Sequence, residues 1–223
     1  MKCIIFILLL MCVGCESKDD AIDGSDNTSE TEVDGAQTAL PDWSNGEEYD
    51  DKAQEATLIT ISNTQELVTL AASTHSVYGE EVALNYSGYI IRLSTDIDLD
   101  GVDIETIGTR ERPFMGEFDG AYFTISNLRQ VSYQNYQGLF GAIGYGAKLH
   151  SLNVEGFTIG DQYSKSEVGY GALAGFSGGI VSQCTVSSST ISAYDKVSLF
   201  VGEDSGEVID CRDGGDNIIN IIE

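Results

Sequence analysis

The sequence is poor in the residues on which zinc and nucleic-acid sites depend. Of its 223 residues only two are histidines, His75 and His150, and they lie far apart in the chain. The two cysteines outside the N-terminal region, Cys184 and Cys211, form no CxxC pair, so a zinc site is not expected. Lysine and arginine together number 11 against 36 aspartates and glutamates, a formal net charge of -25. Such a charge disfavours nucleic acid and anionic lipid as partners of the main body.

Long apolar runs are confined to one stretch, CIIFILLLMCV, which covers residues 3–13 directly after Lys2. It is too short to span a bilayer as a mature helix and is typical of a secretory signal. The residues LMCVGC resemble a bacterial lipoprotein signal, in which a small residue precedes the acylated cysteine. The resemblance implies a signal peptide over residues 1–14 and lipidation of Cys15. Cleavage by a conventional signal peptidase is the alternative, because Cys12 stands where leucine is usual.

The residues after Cys15 carry a second signal. ESKDD is similar to the acidic stretch that directs some lipoproteins to the outer leaflet of the Gram-negative outer membrane; the alternative is an ordinary linker. Residues 16–55 hold 14 acids and two lysines. Such a composition buries too little apolar surface to offset the entropy of ordering, so residues 15–55 are predicted to be an acidic disordered tether. We therefore expect a surface-exposed protein held to the cell outer membrane by its N-terminal lipid.

The main body, residues 56–223, repeats two short patterns. The first has an apolar residue three positions before leucine or cysteine, and it recurs as ISNL, LHSL, VSQC and VIDC, starting at residues 125, 149, 181 and 208. The second is rich in glycine and recurs as GLFG, GALAG and SLFVG, starting at residues 138, 171 and 198. A period of about 30 residues with short β-type runs predicts a β-solenoid.

In a solenoid each coil buries its apolar side on the neighbouring coils, so equivalent residues stack into ladders. We expect one internal ladder made of Leu128, Leu152, Cys184 and Cys211. The residues just before them are expected at turns or on the outside: Asn127, Ser151, Gln183 and Asp210. The repeated glycines are expected at tight corners or where two backbones approach closely.

A family resemblance follows from these units and from the segments ahead of them, TLITISNTQELVTLA, DIDLDG, ETIGT and PFMGEFDGAYFTISNL. In kind and order they resemble the GLUG-motif repeat proteins, which are bacterial surface proteins and adhesins. The resemblance covers roughly residues 57–213. It implies an all-β fold, a right-handed parallel β-helix, and an adhesin-like role at the cell surface.

A short helix is expected ahead of the first complete coil. Asn63 and Glu66 have the spacing of a capping box, and three apolar residues fall on one helical face: Leu67, Leu70 and Ala71. We expect this helix to cover the N-terminal end of the solenoid, where strand edges and core are otherwise open.

The acidic stretch DIDLDG, which starts at Asp96, has the alternating carboxylates and glycine of the first half of an EF-hand calcium loop. The twelfth position counted from Asp96 is Ile107 instead of an acid, so no metal site is predicted. Strand alternation gives another account, in which the apolar residues face the core while Asp96, Asp98 and Asp100 face water. These three carboxylates are the alternative ligands of a weak surface calcium site.

No Ser/His/Asp order, nucleophile elbow or phosphate loop occurs, so neither an enzyme nor a cofactor is expected. The enzyme alternative, a polysaccharide lyase or hydrolase, would use Arg110 and Arg112 near Asp119. The favoured function is adhesion to, or binding of, a glycan or a host or bacterial surface protein. A purely structural surface protein is the other alternative. The expected ligand contacts are exposed tyrosines: Tyr133, Tyr136, Tyr145, Tyr163 and Tyr170.

Overall fold

The chain winds into a stack of parallel coils. In the computed structural model the described residues are 55–75, 83–131, 135–161 and 168–222. They belong to the second of two compact units of the chain, Asp50–Glu223. The predicted signal peptide, Cys15 and the predicted tether up to residue 54 lie outside the described residues.

Within these ranges the chain forms one helix, α1 at Thr64–Ser73, and 18 short strands. The first nine strands are β1 Thr57–Ile61, β2 Tyr89–Leu93, β3 Ile97–Asp98, β4 Glu117–Asp119, β5 Thr124–Ser126, β6 Arg129–Gln130, β7 Phe140–Ile143, β8 Lys148–His150 and β9 Asn153–Glu155. The others are β10 Thr158–Ile159, β11 Ala174–Ser177, β12 Ile180–Ser182, β13 Thr185–Ser187, β14 Thr190–Ala193, β15 Val201–Asp204, β16 Glu207–Ile209, β17 Arg212–Gly215 and β18 Ile218–Ile221.

The strands form four sheets, and each pairs in parallel with its counterpart one coil away. Sheet A has the order β1-β2-β4-β8-β12-β16, and sheet B has the order β17-β13-β9-β5-β3. Sheet C is β15-β11-β7, and sheet D is β18-β14-β10-β6. Since every coil adds one strand to several sheets, the prediction of an all-β parallel β-helix is confirmed.

Alternate side chains of each strand face a shared interior, where equivalent residues stack in register. The buried stack of sheet A is Ile91, Phe118, Leu149 and Val181, and that of sheet B is Ile97, Ile125, Val154 and Val186. In the last coil the stack of sheet A continues with Val208, which is 37% exposed. The core is therefore less shielded from solvent in the last coil than in the middle coils.

Helix α1 begins as the sequence predicts. The Asn63 side chain accepts a hydrogen bond from the Glu66 backbone N–H at 3.0 Å, and the Glu66 carboxylate accepts one from the Ser62 N–H at 2.7 Å. The first contact satisfies a donor that the first helical turn leaves unpaired, and the second ties the Glu66 side chain to the residue before the cap. The buried residues of the helix are the three predicted ones, Leu67, Leu70 and Ala71.

The position of α1 also matches the prediction that it covers an end of the solenoid. Its buried residues belong to the hydrophobic core, and Thr64 Oγ1 donates to Asp98 O at 3.0 Å on β3, the edge strand of sheet B. At the other end of α1, Thr74 Oγ1 accepts a hydrogen bond from Gly108 N at 2.8 Å. In the described part of the chain, no helix is long and apolar enough to cross a membrane.

One predicted ladder needs a correction. Leu152, Cys184 and Cys211 do stack at the corner between sheets A and B, because Thr185 N donates to Leu152 O and Arg212 N donates to Cys184 O. Below Leu152, however, lies Phe123, whose carbonyl accepts from Asn153 N. Leu128, although fully buried, lies instead at the corner between sheets B and D, beneath Phe157.

The error has a physical cause. Both corners are made by a residue with left-handed backbone followed by one that points inward, so both have the same sequence pattern. Asn127, with φ at 61°, makes the corner between sheets B and D, whereas Ser151, at 55°, makes the corner between sheets A and B. The residues before the predicted ladder all have positive φ, with Gln183 at 55° and Asp210 at 54°, so the prediction of turns there is confirmed.

The three glycine-rich units form one ladder in sheet C. Phe140, Ala174 and Val201 are in register, so the next residues, Gly141, Gly175 and Gly202, lie one above another. A Cβ on Gly141 would collide with the carbonyl oxygen of Gly108, and would come within 2.6 Å of Thr106 Oγ1. Close backbone approach is thus the reason for glycine there, as expected.

Candidate ligand-binding face

The flat outer face of sheet A carries a cluster of charged side chains. Two rows of outward residues run across the sheet from coil to coil. One row is Leu58, Ile90, Glu117, Lys148, Ile180 and Glu207; the other is Thr60, Arg92, Asp119, His150, Ser182 and Ile209. The register of the parallel strands brings residues about 30 positions apart into contact. We call this surface the outer face of sheet A.

Five side chains at its centre form a continuous network. Arg92 Nε lies 2.8 Å from Asp119 Oδ2, and Asp119 Oδ1 lies 3.6 Å from His150 Nδ1. His150 Nε2 lies 3.3 Å from Glu117 Oε1, whose other oxygen lies 3.4 Å from Lys148 Nζ. The imidazole therefore stands between two carboxylates, with a cationic group at either end of the network.

The cationic side chains of the network are more exposed to solvent than its carboxylates. The side chains of Arg92 and Lys148 are 50% and 53% exposed, whereas those of Asp119 and Glu117 are 12% and 29% exposed. The cations thus lie closest to solvent, over carboxylates that hold them in place. A strongly acidic protein in this way presents hydrogen-bond donors with positive charge on one face.

Aromatic and apolar side chains border this network. Tyr145, 66% exposed, lies in the turn that leads into β8, and its ring packs on Gly178 of the next coil. Tyr122, 63% exposed, lies in the corner after β4. Ile180, 37% exposed, follows Lys148 in the same row. Flat ring faces next to fixed polar groups are what a sugar or a protein surface can stack on.

The predicted tyrosines have different environments. Tyr145 is exposed as expected, while Tyr136 is half-buried and packs against Phe176, with ring centroids 6.2 Å apart. The prediction of exposure is wrong for Tyr170, which is fully buried because its segment pairs with its neighbours on both sides, at Gln137 and Val197. Tyr133 and Tyr163 lie outside the described residues.

The acidic strand DIDLDG uses its carboxylates for hydrogen bonds within the fold. Asp98 Oδ1 accepts from Asn127 Nδ2 at 2.8 Å and from Asp100 N at 3.0 Å. These two hydrogen bonds, the Asn127 one first, lower the pKa of Asp98 below its ordinary value. Asp96 Oδ1 accepts from Thr124 N of the next coil at 2.7 Å. Among the described residues, no group of three or more His, Cys, Asp or Glu side chains could hold a metal ion.

A groove lies elsewhere, beside sheet D. Its volume is about 680 Å³, and it separates the segment 100–106 from β6, the edge strand of sheet D. Acidic residues of that segment, Asp100, Asp103 and Glu105, line one side, and Arg129 lines the other. The groove offers acceptors for hydroxyl groups, but no exposed aromatic ring lies in it.

The residues of the enzyme alternative are separated. The Arg110 guanidinium lies 3.6 Å from the centroid of the Phe176 ring, in sheet C, and it also faces Tyr136 at 5.9 Å. This stacking fixes the loop that follows Gly108. Asp119 is paired with Arg92, in sheet A, and not with Arg110.

The central network was missed in the sequence, although a signal for it exists. Arg92, Asp119 and His150 occupy the same outward position of three consecutive coils. Their contact becomes visible only when the coils are aligned strand by strand, which the irregular spacing of the repeat units obscures. The two carboxylates that flank His150, those of Glu117 and Asp119, lie more than 30 positions before it in the chain.

Comparison of the chain with protein-family models, with curated proteins and with solved structures finds no match, so the resemblance to GLUG-motif proteins remains an expectation from the sequence.

Proposed function

We propose that the protein is a ligand-binding module of the bacterial cell surface, anchored by a lipid on Cys15, and that it binds a glycan on the outer face of sheet A. The observation that carries the proposal is the network from Arg92 to Lys148 on an outward sheet face, with the exposed Tyr145 in the turn that leads into the strand of Lys148. The network supplies fixed hydrogen-bonding groups, and the ring supplies an apolar stacking surface; together they suit a ligand with hydroxyl groups and apolar ring faces.

The shape of the site supports a polymer over a small molecule. The polar groups of the face recur across four neighbouring strands, so an extended chain can contact several coils at once. Cations are the most exposed charges of the network, which favours glycans that carry carboxylate groups. The acidic tether predicted for residues 15–55 would hold such a face away from the membrane.

Binding to arrays of immobilised neutral and acidic glycans tests this function directly. Wild-type protein is expected to bind a restricted set of glycans, with weaker binding at high salt because charge contributes. Incubation of the bound glycans with the protein, followed by analysis of their length, tests the enzyme alternative.

A purely structural surface protein is the second candidate. One observation favours it: every charged group of the network has an oppositely charged or hydrogen-bonded partner within the face, which is enough to stabilise the sheet alone. Under this alternative the arrays give no binding, while loss of Asp119 still lowers the melting temperature because Arg92 and the Ala121 N–H lose their acceptor.

A further inference from the structure

Two cysteines occupy equivalent positions in the last two described coils. Cys184 follows β12 and Cys211 follows β16, and these strands are in register from Val181 opposite Val208 onward. Beyond the corner the register is kept, because Arg212 N donates to Cys184 O at 2.8 Å. Cys184 and Cys211 are therefore direct neighbours along the stack.

Both cysteines follow a corner residue with a left-handed backbone. Gln183 and Asp210, the residues just before them, have φ values of 55° and 54°. Neighbouring strands lie about 4.8 Å apart, and disulfides join Cα atoms about 4.4–6.8 Å apart. Stacked residues at this corner are thus within the range of a disulfide.

Both sulfur atoms lie against the end of strand β12, which is in the coil of Cys184 and one coil below Cys211. Cys184 Sγ lies 3.2 Å from Ser182 O, and Cys211 Sγ lies 3.7 Å from Val181 O in that same strand. Cys211 thus points across the gap between the coils, toward the chain that carries Cys184. Both thiols are free in this structure.

Accessibility and reactivity differ between the two thiols. Cys184 is fully buried, whereas Cys211 is half-buried and can meet a reagent from solvent. The side-chain contact with Cys184 lowers the pKa of Cys211, while the same contact and burial raise the pKa of Cys184. A lowered pKa favours the thiolate at Cys211, and a thiolate is the attacking species in disulfide exchange.

We propose that Cys184 and Cys211 form a disulfide that joins the last two coils when the protein meets a disulfide oxidant, such as an oxidised dithiol oxidoreductase or oxidised glutathione. The Cys211 thiolate attacks one sulfur of the oxidant, whose S–S bond breaks and whose other sulfur leaves as a thiolate and takes up a proton. The Cys184 sulfur then attacks Cys211 Sγ, the bond between Cys211 and the oxidant breaks, and the second sulfur of the oxidant leaves and takes up the Cys184 proton. Two protein thiols are oxidised, and the oxidant's disulfide is reduced to two thiols.

The bond would stabilise the part of the stack that packs least. In the last coil the inward residues Val208 and Ile219 are 37% and 44% exposed, whereas their neighbours Val181 and Ile191 are fully buried. A covalent link at Cys211 fixes this coil to a well-packed one. The inference is independent of the ligand-binding face, which lies on different residues.

Peptide mapping of the full chain tests the bond. The protein is incubated with a mixture of oxidised and reduced glutathione, its free thiols are then alkylated, and it is digested with trypsin. Cleavage after Lys165, Lys196 and Arg212 separates Cys184, in peptide 166–196, from Cys211, in peptide 197–212. The expected product is these two peptides joined by a disulfide, two hydrogens lighter than their sum, and absent after treatment with dithiothreitol.

Thermal unfolding supplies the second measurement. The oxidised wild-type protein is expected to melt about 5–10 °C above the reduced protein, and this redox difference should vanish in Cys211→Ser. The comparison within the wild type needs no variant to fold. The proposal is overturned if both cysteines remain alkylated after oxidation, or if Cys211 accumulates as a stable glutathione adduct that Cys184 does not resolve.

Discussion

The Asp98 carboxylate lies 2.8 Å from the side-chain amide of Asn127, and the two residues belong to successive coils. Asn127 has a left-handed backbone, and the hydrogen bond ties this corner to the coil before it. The Asp98 carboxylate, a potential calcium ligand, is therefore already used in a hydrogen bond within the protein.

We therefore expect calcium to have little effect on stability. Millimolar calcium should leave the melting temperature nearly unchanged, because a ligand stabilises only a folded state that binds it. Asp98→Ala should lower the melting temperature, with or without calcium, because Asn127 Nδ2 and Asp100 N lose their acceptor. A large increase with calcium that Asp98→Asn abolishes would revive the metal site.

Lowering the pH should weaken the contact between Asp98 and Asn127 over a defined pH range, and so lower the stability of the fold. The folded pKa of Asp98 lies below its ordinary value of 3.8, so its ionised form stabilises the fold above pH 3.8. That contribution is lost as the pH falls below 3.8 toward the folded pKa. The melting temperatures of the wild type and of Asp98→Asn should therefore differ above pH 3.8 and converge as the pH falls below it, and a difference that stays constant into strong acid would contradict this role.

The direction of side chains at the corner between sheets A and B gives a third prediction. Leu152 is fully buried, so Leu152→Asp should lower the free energy of unfolding by about 3–5 kcal/mol, because it places an unpaired carboxylate in the core. Asn153→Asp should cost about 1 kcal/mol, since its amide donates to Tyr122 O at 2.6 Å and the acid cannot. Thr185→Asp, the outward neighbour of Asn153 in the next coil, should cost little. Urea unfolding of the three variants measures the contrast, and equal losses would contradict the register.

Alanine substitutions at two glycines distinguish the stability cost of a steric clash from that of backbone strain. Gly141→Ala should be strongly destabilising, because the new methyl group meets Gly108 O and Thr106 Oγ1. Gly146→Ala has open space around it and costs only the strain of φ at 82°, about 1–2 kcal/mol. Chemical unfolding measures the free energy of unfolding of both variants. A smaller decrease for Gly141→Ala than for Gly146→Ala would contradict close backbone approach as the reason for the glycine ladder.

Much of the fold follows from the sequence because the repeats are local patterns with a physical cause. The helix cap at Asn63, the burial of Leu152 and Cys184, and the turns before them are each set by neighbouring residues. The pattern around Leu128 led to the wrong ladder, because two different corners need the same order of residues. Strand register, which decides between them, depends on contacts between coils and is not encoded in any one segment.

The candidate site was less predictable for the same reason. The pairing of Arg92 with Asp119, and of His150 with Glu117, joins residues from successive coils. A small shift in coil alignment would place other residues in contact. Tyrosine content alone could not separate Tyr145, which is exposed, from Tyr170, which fills the core.

The measurement that tests the proposed function most directly compares matched variants on one array of immobilised neutral and acidic glycans. Tyr145→Ala removes the exposed ring and Lys148→Ala removes an exposed cation; each is expected to weaken binding about tenfold or more. The controls Arg129→Ala and Asp103→Asn change exposed charges at the groove beside sheet D and should bind as the wild type does. Melting curves confirm that all four variants are folded. Unchanged binding by Tyr145→Ala and Lys148→Ala, losses confined to the two controls, or no binding by the wild type would contradict the account.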